Sequence, residues 1–121
     1  MLRSLRFEWA LLAVLLWLPS AQAGRHEPTG LPTIAATALP AEARETLQTI
    51  ERGGPFAYPQ DDRAFGNYER ILPQQHRGYY REYTVKTPGA RNRGARRIVC
   101  GPLPECYYSA DHYRTFKRIK D

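Results

Sequence analysis

One amphipathic helix, followed by a series of short strand-like runs, limits the fold of this chain most strongly. Residues Leu39–Gly53 predict the helix, because Ala43, Leu47 and Ile50 recur at i, i+4 and i+7 and form one narrow apolar face. The Gly53-Gly54-Pro55 sequence predicts where the helix ends. A helix with one apolar face needs a surface against which to bury it, so we expect it to pack on a sheet.

Four strand-like runs after the helix are separated by turn-forming residues. The turns are predicted at Pro88-Gly89, Gly101-Pro102 and Ser109–Asp111, and a further short strand is expected near Phe65–Leu72. One helix followed by strands predicts an α+β fold, in which one N-terminal helix packs on a small antiparallel β-sheet. The four runs are residues 79–85, 96–100, 106–108 and 115–119.

Residues 1–23 are typical of a secretory signal peptide. Arg3 and Arg6 form a positively charged N-terminal region, residues 9–18 are all apolar, and Ala21-Gln22-Ala23 fits a cleavage site. The apolar run is shorter than the roughly 20 residues that cross a membrane, although an uncleaved anchor is the alternative. We therefore expect a protein that is secreted to the medium or the periplasm and leaves the membrane after cleavage.

The remaining chain divides into two predicted parts. Residues 24–38 show no regular period and predict a flexible N-terminal segment, and residues 39–121 form the folded domain. Removing residues 1–23 takes two Arg and one Glu from 18 Lys+Arg and 12 Asp+Glu, which leaves 16 and 11 and a net charge of +5. This charge favours a polyanionic partner such as nucleic acid, an anionic membrane surface or an acidic polysaccharide.

The two cysteines, Cys100 and Cys106, could face each other across a predicted hairpin loop. An even number of cysteines in an exported chain favours a disulfide. Closing so short a loop stabilises a fold by roughly 2 kcal/mol on chain-entropy grounds. A structural zinc site needs four ligands in pairs, so we predict a local disulfide and no metal site.

The strand region contains the groups needed to cleave a phosphodiester without a metal. Such cleavage needs one group to remove a proton, one to supply a proton, and cations to bind the phosphate. Glu82 lies on a strand-like run, and Arg97 on the next strand can reach the same face. His112 follows a turn, a position typical of an exposed functional loop. On the residues alone, Glu82 and Arg97 could equally form a cross-strand ion pair, and His112 could be structural or merely exposed.

An ordered series of short motifs runs from residue 38 to residue 113. They are Ala38-Leu39-Pro40, Gly54-Pro55-Phe56, Leu72-Pro73, Gly78–Val85, Thr87–Arg91, Arg93–Ile98 and Tyr107–Tyr113. In these motifs and their separations, residues 39–119 closely resemble the guanyl-specific microbial ribonucleases, the family that includes barnase, and most nearly the small streptomycete extracellular enzymes. The terminal-to-terminal disulfide of those relatives has no equivalent here, so the N-terminal segment is predicted not to be tied to the sheet.

The resemblance implies a role for each reactive group. Glu82 matches the general base that takes the proton of the ribose 2′-hydroxyl, and His112 matches the general acid that protonates the departing 5′-oxygen. Arg93 and Arg97 match the pair that binds the phosphate. The first product is then a 2′,3′-cyclic phosphate, and no cofactor is implied. Free Glu and His side chains titrate near ~4.3 and ~6.5, which predicts a bell-shaped pH profile with an acidic-to-neutral optimum.

The resemblance also implies a loop that recognises guanine. Glu69 matches the carboxylate that accepts hydrogen bonds from two N–H groups of the base, Asn67 shapes the loop, and Tyr113 is expected to stack on the base. Gly66 and Tyr68 depart from the relatives, which carry polar or basic residues there, so strictness for guanine stays open. The predicted substrate-binding residues are Phe65, Asn67, Tyr68, Glu69 and Tyr113.

The expected protein is a secreted, monomeric endoribonuclease that cleaves single-stranded RNA on the 3′ side of guanosine. Two alternatives stay open: a non-catalytic basic domain that binds RNA or another polyanion, and a ribonuclease with relaxed base preference. The resemblance further implies an acidic inhibitor protein of the producing cell as a second partner.

Overall fold

The computed structural model describes residues 30–121, which form one α-helix and a six-stranded sheet. The predicted signal peptide and residues 24–29 lie outside the described residues. Across residues 30–121 there is no helix long and apolar enough to cross a membrane. The elements in chain order are β1 (Thr33–Ala35), a 3₁₀ turn (Ala36–Ala38), α1 (Ala41–Arg52), β2 (Arg63–Ala64), β3 (Arg81–Thr84), β4 (Arg97–Gly101), β5 (Glu105–Ser109) and β6 (Lys117–Lys120).

The sheet confirms the predicted α+β class. Its strand order is β1-β6-β5-β4-β3-β2. From β2 to β6 each strand pairs antiparallel with the next one along the chain, whereas β1 runs parallel to β6. The predicted turns at Pro88-Gly89, Gly101-Pro102 and Ser109–Asp111 lie where β3, β4, β5 and β6 are joined.

The N-terminal segment contains a strand where the sequence predicts a flexible stretch. Thr33 lies opposite Arg118 and Ala35 opposite Lys120, and the Arg118 N–H donates to the Pro32 carbonyl at 2.8 Å. The prediction of a flexible segment that is not tied to the sheet is therefore wrong for these residues. Main-chain hydrogen bonds hold β1 to β6, and a strand of three residues is too short to show a period in the sequence.

Helix α1 ends and packs as predicted. Gly53 adopts a left-handed conformation with φ 83°, and its N–H donates to the Ile50 carbonyl at 3.1 Å. On the apolar face, Ala43 is fully buried, and Leu47 and Ile50 are half-buried against the core. The helix therefore covers one face of the sheet.

The stretch Phe65–Leu72 forms a loop instead of the strand expected there. The nearest strand is β2, which comes just before it. Asn67 and Arg70 have φ values of 52° and 57°, and this left-handed conformation is incompatible with a strand. The predicted short strand is therefore wrong.

The sheet has a buried cluster on each face, as the period of two along a strand requires. On β4, Ile98 and Cys100 belong to the cluster under α1, and Val99 belongs to the cluster on the opposite face. Cys106 lies opposite Cys100 in the β4–β5 hairpin, and the two form the predicted disulfide. The face away from the helix is the one that carries the reactive groups.

Candidate active site

Strands β3 and β4 place a carboxylate and a guanidinium on the sheet face away from α1. Glu82 lies opposite Val99, and Thr84 lies opposite Arg97, so all four side chains share that face. Glu82 and Arg97 are therefore diagonal neighbours, which are about 7–8 Å apart in antiparallel sheets. This distance leaves room for another group between them.

Arg93, and not Arg97, forms the ion pair with Glu82. The Arg93 Nη2 atom lies 3.4 Å from Glu82 Oε1, and the two side chains are 24% and 20% exposed. The Arg93 Nε–H also donates to the Thr84 hydroxyl at 2.9 Å. The cross-strand Glu82–Arg97 ion pair that the sequence allowed is not formed among residues 30–121. The partial exposure leaves carboxylate and guanidinium accessible to a ligand.

The Tyr113 hydroxyl connects Glu82 to Arg97. It donates to Glu82 Oε1 and accepts a hydrogen bond of 3.2 Å from the Arg97 Nε–H. Burial, reinforced by the hydrogen bond to Glu82, raises the pKa of Tyr113 to about 12. The phenol therefore keeps its proton at neutral pH and remains a donor to the carboxylate.

Arg97 is a cation buried without a carboxylate partner. Its residue is 2% exposed, and its Nη1 donates to the carbonyl groups of Gly94 and Arg96 at 3.0 and 2.8 Å. Its Cζ lies 5.8 Å from the centroid of the Tyr113 ring. Within the described chain it forms no ion pair. A fixed, uncompensated guanidinium of this kind stabilises an oxyanion placed beside it.

His112 is presented by a loop between β5 and β6 that a carboxylate holds in shape. His112 has a left-handed φ of 60°, and its N–H donates to the Ala95 carbonyl at 2.9 Å. Asp111 accepts from the Thr115 N–H at 2.9 Å and from the Thr115 hydroxyl at 2.6 Å, and these bonds lower the pKa of Asp111. The exposed His112 ring lies 5.0 Å from the Tyr113 ring, centroid to centroid. The imidazole is thus free at the edge of the site.

A cavity of about 410 Å³ lies beside these groups. Most of its wall comes from the stretch Phe65–Glu69, which we call the recognition loop, and from residues 112–116. The Phe65 and Tyr113 rings lie 4.9 Å apart at this cavity, and Glu69 is exposed. All five predicted substrate-binding residues line the cavity, together with His112, Ile71, Arg114 and Phe116.

Asn67 gives the recognition loop its shape. Its φ of 52° turns the chain, and its side chain bonds both main-chain groups of Leu72, accepting from the N–H at 3.1 Å and donating to the carbonyl at 3.0 Å. These bonds close the loop into a rigid turn, because a side-chain amide replaces main-chain pairing there. The loop therefore presents its outward groups to the cavity in a fixed arrangement.

The structure brings the predicted catalytic residues together at one site, and the neighbouring Arg96 is not part of it. Glu82, Arg93, Arg97 and Tyr113 form one contact network, and His112 adjoins it through the Tyr113 ring. Arg96 instead pairs with Glu42 of α1 at 3.5 Å. Sequence reasoning missed the Thr84 hydroxyl that holds Arg93, although the period of two along β3 places Thr84 on the same face as Glu82.

A larger cavity, of about 680 Å³, lies on the opposite face of the sheet. It is formed between α1 and the disulfide loop, with Leu47, Tyr83 and Cys100 in its walls. None of the groups in the contact network lines it. We therefore place the site at the smaller cavity, which His112 and Tyr113 line and which Tyr113 links to Glu82 and Arg97.

Several known proteins similar to this chain are ribonucleases. A family model described as ribonuclease matches residues 22–120. Guanyl-specific ribonuclease Sa of Kitasatospora aureofaciens is 54% identical over 88 residues, which cover 72% of this chain and 92% of that protein. Ribonuclease Sa2 in complexes with mononucleotides has a TM-score of 0.76 at 44% identity, over 78% of this chain and 98% of the other. The same enzyme with guanosine-2′-cyclophosphate has a TM-score of 0.73 at 45% identity, over 75% and 97%.

Proposed function

The chain belongs to the ribonuclease family that includes the guanyl-specific microbial enzymes, and on this premise we propose that it cleaves single-stranded RNA on the 3′ side of guanosine through a 2′,3′-cyclic phosphate. The observation that carries the proposal is the Glu82–Tyr113–Arg97 network beside a cavity lined by Glu69 and His112. The related ribonuclease Sa2 holds mononucleotides, including a guanosine cyclophosphate. That ligand belongs to the product class of the proposed reaction.

Glu82 acts as the general base. Tyr113 and Arg93 both donate to its Oε1 atom, and together they hold the carboxylate in one orientation. The carboxylate removes the proton of the ribose 2′-hydroxyl, and that oxygen attacks the adjacent phosphorus. A new bond forms between the 2′-oxygen and phosphorus as the bond from phosphorus to the 5′-oxygen breaks.

His112 and the arginines complete the reaction. The exposed imidazolium of His112 gives its proton to the departing 5′-oxygen. Arg97, buried and not neutralised, and Arg93 bind the phosphate and stabilise the charge that its oxygens gain in the transition state. Water can open the cyclic phosphate later, with the roles of acid and base exchanged.

Glu69 selects the base. Guanine offers two N–H groups on one edge, and a carboxylate can accept from both, whereas adenine has no donor at its ring N1. Asn67 fixes the loop that carries Glu69, and Phe65 and Tyr113 supply aromatic surface at the cavity. A wrong base leaves the carboxylate without its partners, so binding favours guanine.

An oligoribonucleotide with a single G tests this function together with the role of Glu69. We expect one cut, 3′ to the G, that leaves a cyclic phosphate end. Glu69→Ala should lower the ratio of kcat/KM for GpC over ApC by about 10- to 100-fold, because it removes a charged acceptor.

The matched control for that test is Glu45→Ala, which removes an exposed carboxylate from α1. It should keep the wild-type ratio. Equal cleavage after all four bases by the wild type would contradict guanine preference. An unchanged ratio in Glu69→Ala would assign base selection to other groups of the loop.

We also propose that the protein is exported and that its signal peptide is removed after Ala23. The support is the order of a positive start, an apolar run and a small-residue cleavage site in residues 1–23. Mass spectrometry of the protein from culture medium or periplasm should find Gly24 as the first residue. Recovery of the full chain with Met1 at its start would refute cleavage.

A further inference from the structure

Besides the cavity of about 410 Å³, the recognition loop borders another one, which we call the second cavity. We propose that the second cavity binds the nucleotide on the 5′ side of the guanosine. Its volume is about 250 Å³. The inference rests on the proposed function, since it concerns the path of the same RNA strand. The residues that carry the argument are Tyr68, Gln75, His76 and Arg77 at the rim, with Phe65 and Tyr80 in the wall.

The two cavities share one wall. Phe65, Asn67 and Tyr68 line both of them, so the recognition loop lies between the second cavity and the cavity of about 410 Å³, which we call the guanine cavity. Consecutive bases of a single strand can occupy adjacent cavities of this kind if the wall between them offers aromatic surface. Tyr68 supplies that surface, because 86% of this residue is exposed.

Gly66 allows Tyr68 to take this position. A Cβ atom at residue 66 would lie 2.5 Å from Cζ and 2.6 Å from Cε2 of the Tyr68 ring. Any side chain at residue 66 would therefore displace the ring. Gly66 and Tyr68 thus act together: the missing side chain of Gly66 gives the aromatic ring of Tyr68 its place along the loop.

The rim of the second cavity has the chemistry that an unpaired nucleotide requires. Arg77 is exposed and forms no ion pair among residues 30–121, so its charge is available to a phosphate. Gln75 is exposed and offers an amide to a base edge. His76 is held in place, with Nδ1 3.0 Å from the Arg77 carbonyl oxygen and its ring edge-on to Tyr79 at 5.6 Å.

Hydrogen bonds tie the walls of this cavity to the Leu72-Pro73 segment. Asn67 bonds Leu72 on one side, and the Tyr80 hydroxyl donates to the Pro73 carbonyl on the other. The Tyr79 N–H closes a turn by donating to the His76 carbonyl at 3.1 Å. The cavity is therefore formed without a ligand, which lowers the cost of ordering the site on binding.

The position of His112 decides which neighbour of the guanosine enters this cavity. In the proposed reaction His112 protonates the 5′-oxygen of the downstream nucleotide, so that nucleotide departs on the His112 side. His112 lines the guanine cavity but not the second one. The nucleotide across the loop is therefore the upstream one.

Three short substrates separate this subsite from the catalytic site. For the wild type, we expect kcat/KM for ApGpC to exceed that for GpC by about 10-fold, because the added nucleotide gains contacts with Arg77 and Gln75 as well as stacking on Tyr68. The double variant Gln75→Ala/Arg77→Ala should lose most of this gain while its rate on GpC stays unchanged. The third substrate, GpCpA, is extended on the downstream side, and its kcat/KM should be the same for the double variant as for the wild type.

The matched control is Arg52→Ala, which removes one positive charge from α1, outside the second cavity. It should keep the full gain on ApGpC. An undiminished gain in the double variant would overturn the subsite, as would an equal loss of gain in Arg52→Ala. A loss on GpCpA instead of ApGpC would overturn the upstream assignment. Failure of the wild type to cut GpC would count against the proposed function itself.

Discussion

The Glu82→Gln variant is expected to cleave RNA at least about 100-fold more slowly than the wild type, measured as kcat/KM on GpC. An amide has almost the shape of a carboxylate, and its oxygen can still accept hydrogen bonds from Tyr113 and Arg93. It cannot remove a proton from the 2′-hydroxyl. The loss should therefore appear in kcat, while the Kd of 3′-GMP changes little.

Glu105→Gln is the matched control for this variant. The Glu105 carboxylate also accepts a hydrogen bond from a tyrosine, Tyr79, at 2.8 Å, but it lies at the disulfide hairpin. The same chemical change there should leave kcat/KM at the wild-type level. A Glu82→Gln enzyme that keeps more than about a tenth of the wild-type rate would show that another group removes the proton.

Replacement of His112 should have a comparable effect on RNA and a much smaller one on a substrate with a good leaving group. We choose His112→Asn, because residue 112 has φ 60° and Asn adopts the left-handed conformation more readily than Ala. Cleavage of GpC should fall about 100-fold or more, since the 5′-oxygen then leaves without a proton. Guanosine 3′-(4-nitrophenyl phosphate) should be cleaved at nearly the wild-type rate, because nitrophenolate needs no proton to leave.

Comparing GpC with the nitrophenyl substrate also controls for a change in loop structure in the His112→Asn variant. A variant that had lost the shape of its loop would lose activity on both, because Tyr113 follows His112 directly and holds Glu82. Equal losses on GpC and on the nitrophenyl substrate would therefore show that His112 acts in binding or in loop structure. A selective loss on GpC would identify it as the general acid.

Local patterns in the sequence predict most of the fold, and pairing between distant residues accounts for what they miss. The helix and four of the strands follow from side-chain periods and turn residues, which act over a few positions. Strand β1 depends on β6, more than 80 residues later in the chain. A short strand is expected near Phe65–Leu72, but the hydrogen bonds of Asn67 to Leu72 turn this stretch into a loop.

The types of reactive group in the site follow from the sequence, but their partners do not. Alternation along β3 and β4 places Glu82 and Arg97 on one face, as predicted. The strand register then places the two residues diagonally, so Glu82 forms its hydrogen bonds with Arg93 and with the Tyr113 hydroxyl. The partner of each side chain depends on where the loops that follow the strands meet the sheet, and no short-range sequence pattern encodes that position.

The shortness of the two outermost strands has a consequence for behaviour at high concentration. An open sheet edge offers unpaired N–H and C=O groups to other chains and is a common starting point for aggregation. Here β1 has three residues and β2 has two, and β6 behind β1 carries Lys117 and Lys120. Few unpaired N–H and C=O groups are therefore available to pair with a strand of another molecule, so the enzyme should resist aggregation at high concentration.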